Sequence, residues 1–366
     1  MTSHTLRVSN IIVAIIFIAI IITTAWYALQ EIEAQTRDRS KNALQTVLLT
    51  TQEALHIWIS QRKLDTAELA RNDALVNLTN NLVTDKNNKR DTGKVVTSIR
   101  NLLDPRLALY GDRGFYLISP QRKNIASMHD SNIDKVNLIS LQRKEYIDRA
   151  FEGVTVFIPT VRFGAEQIKN ETIKKNEPTI YTAAPVKNIS DEIIAVLVIQ
   201  INPKRQFTRI AQLGRIAETG ETYAFDEQGT LITESRFDDQ LRKIGLIENE
   251  SRGILSIRIA DPGGNLLAGY IPQLPSSEMP LTRMAQDAID GASGYDTSGY
   301  RDYRGVKVFG AWLWDKEMGF GLTTEIDAEE ALQPLQETKK AILLIILLVI
   351  ALSATFIFVN RFKTSQ

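Results

Sequence analysis

Gly114-Phe-Tyr-Leu-Ile-Ser, a polar turn over residues 120–124, and then Ile125-Ala-Ser-Met form the stretch on which the fold turns. Two short runs rich in β-branched and aromatic residues around a polar break read as a β-hairpin. About 107 residues later the phrase returns as Thr222-Tyr-Ala-Phe-Asp, the turn Glu227-Gln-Gly, and Thr230-Leu-Ile-Thr, with Tyr223 answering Tyr116 and Ile232 answering Ile125. Each copy is closed by two further apolar runs. These are residues 179–186 and 193–202 in the first copy, and 306–314 and 320–327 in the second, the last two joined by a turn at 315–319. The chain therefore reads as two copies of one mixed unit. Antiparallel sheets with helix on one side fit this order better than alternating βαβ units, so the expected class is α+β, with two stacked modules.

Upstream of the first copy the pattern is helical. The first glycine is Gly93 and the first proline Pro105, so neither strong helix breaker occurs in the first 92 residues. Ala43, Val47, Ala54, Ile57, Leu64, Leu75 and Leu82 recur at spacings near three, four or seven among polar residues, which predicts an amphipathic stalk over residues 30–92. About 55 helical residues reach roughly 80 Å, more than the height of one small module. Such a helix can pack on its own domain, and its length also leaves room to pair with its twin in a homodimer.

Two apolar stretches, residues 11–29 and 341–359, bracket everything else. Each is long enough to cross a bilayer core of about 30 Å. Both chain ends then lie on one side, with short tails at 1–10 and 360–366. Lys and Arg near the spans do not decide the orientation, but a long segment translocates largely regardless of charge. The expected location is the plasma (inner) membrane, two-pass, with the large segment extracytoplasmic. A cleaved signal peptide fits less well, because the apolar run is long and no small-x-small site follows it.

The chain carries 43 basic and 43 acidic residues; all the acidic ones and all but Arg7, Arg361 and Lys363 of the basic ones lie between the spans, leaving that segment at −3. A nucleic-acid partner is not implied. The absence of cysteine removes a thiol nucleophile, a disulfide framework and a thiolate metal site. The three histidines do not form a triad. His129 with Asp130 and Asp134 has neither the spacing nor the further ligand of a metal site, and we expect a solvated loop, no metal and no cofactor. Asp261-Pro-Gly-Gly-Asn lacks the Lys-Ser/Thr of a phosphate loop and reads as a tight turn. Asp238 and Asp239 read as caps of a short helix ending at Gly245. Trp312 and Trp314 read as sheet packing, and Tyr295, Tyr300 and Tyr303 as residues of turns, sheet edges or a second pocket. No catalytic constellation emerges, so we do not expect an enzyme.

Gly214-Arg-Ile-Ala-Glu-Thr-Gly-Glu-Thr-Tyr-Ala-Phe-Asp and Tyr300-Arg-Asp-Tyr-Arg-Gly-Val resemble the membrane-proximal half of bacterial double-Cache sensor domains. Ser235-Arg-Phe-Asp-Asp, Gly310-Ala-Trp and Gly319-Phe-Gly-Leu-Thr-Thr-Glu-Ile-Asp are similar to the same family, as is a Pro-Val followed by Ile193-Ile-Ala-Val-Leu-Val in the distal half. The likeness covers roughly residues 30 to 335. It implies an extracytoplasmic sensor with a distal PAS-like module at 93–207 and a proximal one at 208–335. Leu141-Gln-Arg-Lys-Glu-Tyr resembles the family's Arg-x-x-Tyr ligand segment, so Arg143 and Tyr146 map onto the site. Where amino-acid-binding members carry an Asp, this chain reads Thr160-Val-Arg. That exchange points away from an amino acid and toward a small organic anion held by Arg143 and Arg162, with Tyr116, Tyr146 and Tyr181 as walls. Only seven residues follow the second span, so output is expected from a signalling partner or from sequence beyond Gln366. The alternatives are the sensory part of a histidine kinase, cyclase or chemoreceptor, or a scaffold subunit.

Overall fold

The computed structural model describes residues 3–87, 91–159, 179–248 and 252–363. Its first element, α1 (Ser3–Ala70), runs 68 residues without a break and contains the first apolar stretch. The helix stops where a side chain competes for backbone donors: Asn72 Oδ1 accepts from the N–H groups of Ala74 (3.0 Å) and Leu75 (3.3 Å) and starts α2 (Asp73–Asn87). The stalk expected as one helix to residue 92 is thus two helices, followed by α3 (Gly93–Tyr110).

The first sheet contains β1 (Gly114–Ile118), β2 (Asn124–Ser127), β3 (Val156–Ile158), β4 (Ile180–Lys187) and β5 (Ile193–Ile201), in the order β2-β1-β5-β4-β3 with every pairing antiparallel. Two short helices, α4 (Ile139–Gln142) and α5 (Lys144–Phe151), lie between β2 and β3 in sequence. After the connector α6 (Phe207–Leu213), β6 (Glu221–Phe225), β7 (Gly294–Arg301), β8 (Lys307–Asp315) and β9 (Phe320–Asp327) form the second sheet, order β6-β9-β8-β7. Between β6 and β7 come α7 (Asp238–Lys243) and α8 (Arg283–Ile289). The repeat is real in register: Tyr116 on β1 faces Val198 on β5, and Tyr223 on β6 faces Thr323 on β9. Thr230-Leu-Ile-Thr does not form the regular second strand that its counterpart forms; Thr230 and Leu231 make single bridges to Arg258 and Phe225.

Both sheets lean on α1. Leu44, Leu48, Leu55 and Ile59 are buried in one continuous cluster with Phe309, Leu313 and Leu322 of the second sheet and Leu117, Leu197 and Ile199 of the first. The spacing 44, 48, 55, 59 keeps one stripe of the helix on the sheets. Each such leucine contributes about 1.5–3 kcal/mol by leaving water. A second apolar stripe faces outward: Leu49, Ile57 and Leu64 are 57%, 63% and 64% exposed. Of the residues that predicted the stalk, Ile57 and Leu64 belong to this outer stripe, while the inner one is set by residues one or two positions away. After β9 the chain passes through α9 (Ala328–Ala331) into α10 (Gln333–Lys363), which carries the second apolar stretch. Two helical segments, within Ile12–Ala70 and Gln333–Phe358, are long and apolar enough to cross a membrane. Lys339 on α10 lies 3.7 Å from Glu33 on α1, so the two helices meet near the ends of those stretches.

Candidate functional site

Strand alternation gives each sheet one face on α1 and one face away from it. On the far face of the first sheet, Tyr116, Ile118, Val156, Ile158, Tyr181, Ala183, Val196 and Val198 gather under Ile139 of α4 and Ile147 and Ala150 of α5. The row Tyr116, Val198, Ala183 runs across β1, β5 and β4, and Tyr181 lies two positions along β4. Both tyrosines are buried. The structure thus brings Tyr116 and Tyr181 onto one apolar surface. Arg162, with Thr160 and Val161, lies outside the described residues.

Tyr146 is partly buried against this cluster, while Arg143 sits at the junction of the two modules. Arg143 joins α4 to α5, and its Nη1 lies 2.9 Å from Glu227 Oε1 in the turn after β6. Tyr146 points at the β8–β9 turn. A Cβ on Gly319, whose φ is +74°, would fall 2.7 Å from the Tyr146 hydroxyl, so this close approach needs glycine twice over. The same turn is held from below by the stalk. Buried Asp315 accepts hydrogen bonds from Gln52 Nε2 (2.6 Å) and His56 Nε2 (2.6 Å), besides the N–H groups of Glu317 (3.0 Å) and Met318 (2.9 Å). Burial works to raise the Asp315 pKa, but these bonds outweigh it and hold the carboxyl below its usual range.

The far face of the second sheet is polar at its centre. Glu221 and Glu325 are direct cross-strand partners on β6 and β9. Glu325 accepts from the Tyr300 hydroxyl (2.6 Å) and the Tyr223 hydroxyl (2.8 Å). Glu221 accepts from Tyr303 (2.7 Å), Ser235 (3.0 Å) and the Arg236 N–H (2.6 Å). Gly310 makes the first of these bonds possible, since a Cβ there would lie 2.0 Å from the Tyr300 hydroxyl. Beside the pair, buried Arg304 spans Asp302 (2.6 Å) and Asp327 (2.6 Å), with its guanidinium 3.7 Å above the ring of Phe237. Burial first, and then the Asp302 charge, push the Glu325 carboxyl up to about 8, against the two tyrosine hydrogen bonds. Burial raises Glu221 as well, against its own donors. Sequence reasoning passed over this pair. Its signal was a glutamate within each of two runs that otherwise alternate as sheet.

Among the other candidates, Asp130 and Asp134 are ion-paired with Arg100 and Lys86. Asp238 does not cap α7: its Oδ1 accepts from the Gly253 N–H (3.0 Å), while Asp239 pairs with Arg242 one turn on. Asp261 Oδ1 closes the glycine turn through the Gly263 N–H (2.8 Å). Tyr300 and Tyr303 belong to the buried cluster, and Tyr295 lies half-exposed under Lys41 of the stalk.

No family model matches the chain, and no curated protein matches it. Solved structures similar to it are ligand-binding sensor domains of histidine kinases and chemoreceptors. The sensor domain of the V. cholerae histidine kinase DctB is 12% identical, over 81% of this chain and 98% of that one, with a TM-score of 0.47. The ligand-binding domain of Mlp24 with asparagine is 10% identical, over 82% and 99%, with a TM-score of 0.47. The ligand-binding domain of the Campylobacter jejuni chemoreceptor Tlp3 with L-norvaline is 14% identical, over 81% and 94%, with a TM-score of 0.46.

Proposed function

We propose that this chain is a membrane-anchored sensor that takes a small organic anion on the far face of its distal sheet and passes the resulting displacement to the other side of the membrane. One observation carries the reading. A single unbroken helix runs from the first apolar stretch across both sheets, and the last strand of the proximal sheet continues through α9 into the second apolar helix. A ligand with different affinity for two arrangements of the distal module therefore works on two spans at once. The large segment is extracytoplasmic and the spans form a two-pass anchor in the plasma membrane. Output belongs to a signalling partner or an output domain, and the chain itself performs no catalysis. The outward stripe of Leu49, Ile57 and Leu64 seats a second copy in a parallel homodimer.

Arg143 is the cationic end of the anion site, with Tyr116, Tyr146 and Tyr181 as walls, and Arg162 is the second cation that the sequence offers to it. Short mono- and dicarboxylates are the probes. The full chain in lipid nanodiscs is expected to melt higher with at least one of them and not with free amino acids, and Arg143→Ala is expected to abolish the shift while the protein stays folded. Stabilisation by an amino acid, or a carboxylate response that survives both Arg143→Ala and Arg162→Ala, defeats this assignment.

A further inference from the structure

The proximal far face is polar at its centre where the distal one is apolar throughout. Tyr223 and Tyr303 meet edge to face at 5.7 Å, as do Tyr300 and Trp312 at 5.8 Å. The polar groups beneath these rings are arranged about two carboxyls rather than about a space. Glu221 stands at the start of the first strand of the module. Glu325 stands two residues before the end of its last strand, after which the chain turns into α9 and then α10. Their side chains thus stand opposite each other on the strand that enters the module and the strand that leaves it for the membrane.

We infer that Glu221 and Glu325 form a proton-operated clamp on the last proximal strand, closed while one of the two carboxyls is protonated and opened when that proton leaves. Two buried carboxylates directly opposite each other on neighbouring strands repel strongly, because little solvent screens them. With one proton between them the pair carries a single charge, which the surrounding donors satisfy.

The groups facing the pair come from every element packed on it. Tyr223 on β6 and Tyr300 on β7 bond Glu325; Ser235 and the Arg236 N–H in the loop before α7, and Tyr303 in the β7–β8 turn, bond Glu221. From the same turn Arg304 is already engaged by Asp302 and by Asp327 of β9, and from β7 Asp296 is engaged by Arg283 of α8. The Arg236 guanidinium donates to the Gly220 carbonyl (2.7 Å). No cation among the described groups reaches Glu325, so loss of the proton leaves a second carboxylate unneutralised. Burial and the Asp302 charge place that loss near pH 8. Because the two acids interact, the midpoint belongs to the pair. The proton passes to solvent, the two carboxylates repel across the strands, and the displaced element is the one continuous with α10.

The chain has no cysteine, so spin labels can be placed freely at Gln30→Cys on α1 and Gln336→Cys on α10, both exposed. In the full chain in lipid nanodiscs, the label separation is expected to change between pH 6 and pH 9.5 with a midpoint near 8. Glu325→Gln should hold the low-pH separation throughout. Tyr300→Phe, which removes a donor that favours the carboxylate, should move the midpoint upward. A separation that does not titrate, or that titrates unchanged in Glu325→Gln, overturns the clamp. If Glu325→Gln does not fold, an unmoved midpoint in Tyr300→Phe overturns it on its own. No anion is added, so the outcome is separate from that of the distal-site experiment.

Discussion

The four strands of the second sheet repeat the order and register of β1-β5-β4-β3 in the first, yet equivalent positions on their far faces are occupied in opposite ways. Ala183 of the distal sheet, in the row with Val198 and Tyr116, corresponds to Trp312, in the row with Thr323 and Tyr223. Tyr181, opposite Gln200, corresponds to Gly310, opposite Glu325, and the room freed by that glycine is taken by the Tyr300 hydroxyl. One scaffold therefore yields a buried apolar cluster in one copy and a buried, hydrogen-bonded acid cluster in the other. Binding capacity on such a sheet is decided by a few side chains on one face, not by the fold.

The largest expected effect tests whether the proximal polar cluster is structural for its own module. Arg304→Ala leaves buried Asp302 and partly buried Asp327 without their shared cation, and breaking a buried ion pair such as Arg304–Asp302 costs about 3–5 kcal/mol. Urea unfolding followed by a probe in each sheet should show the proximal sheet lost first. Arg304→Met should lose as much, since the missing charge rather than the missing volume is at fault. A single unchanged transition would show that the two sheets do not differ in this respect.

Next comes the pH dependence of Glu325. Its carboxyl is raised from 4.5 to about 8 in the folded chain, so between those values the folded state holds more protons than the unfolded one. Stability from this group is full below about 4.5 and is lost as pH rises through 8. Glu325→Gln should therefore gain about 2–4 kcal/mol over the parent at pH 8.5 and little at pH 4.5. Asp315 should show the reverse sign on a smaller scale. Its folded pKa is depressed, so its contribution is present above the ordinary carboxylate value of 3.8 and fades as pH falls through the lowered one. Asp315→Asn should cost about 1–2 kcal/mol near neutrality, and the deficit should shrink in acid.

What the sequence disclosed follows the physics of local pattern. The repeat, the hairpin at residues 114–128, both closing strand pairs and the helical stalk could be read because period-2 and period-3.6 burial leave marks in a single chain. The stalk's break could not, since Asn72 carries no more weight in a pattern than any other polar residue until its side chain is seen to cap Leu75. Glu221 and Glu325 were hidden for a different reason: their meaning lies in cross-strand register between residues about a hundred apart. Tyr116 and Tyr181 were named as walls of one pocket, and the register of β1, β5 and β4 is what brings them onto one face. Arg143 was read from a local motif, and its neighbour Glu227 belongs to the other module, which no local motif reports.

That last contact gives the smallest effect and the sharpest question about how the two modules communicate. Arg143 and Glu227 meet at 2.9 Å, with the glutamate side chain 54% exposed, so solvent screens the pair. A double-mutant cycle with Arg143→Ala and Glu227→Ala should give a coupling of about 0.2–1 kcal/mol without ligand, falling further at high salt. If Arg143 also grips a carboxylate ligand, ligand and Glu227 compete for one guanidinium. Glu227→Gln should then tighten binding of the stabilising carboxylate while leaving the melting temperature of the free protein almost unchanged. The same substitution should weaken the ligand's effect on the proximal sheet, because the contact that ligand displaces is already gone. Unchanged affinity in Glu227→Gln would mean that Arg143 only joins the modules, and that the distal face recognises its ligand by other groups.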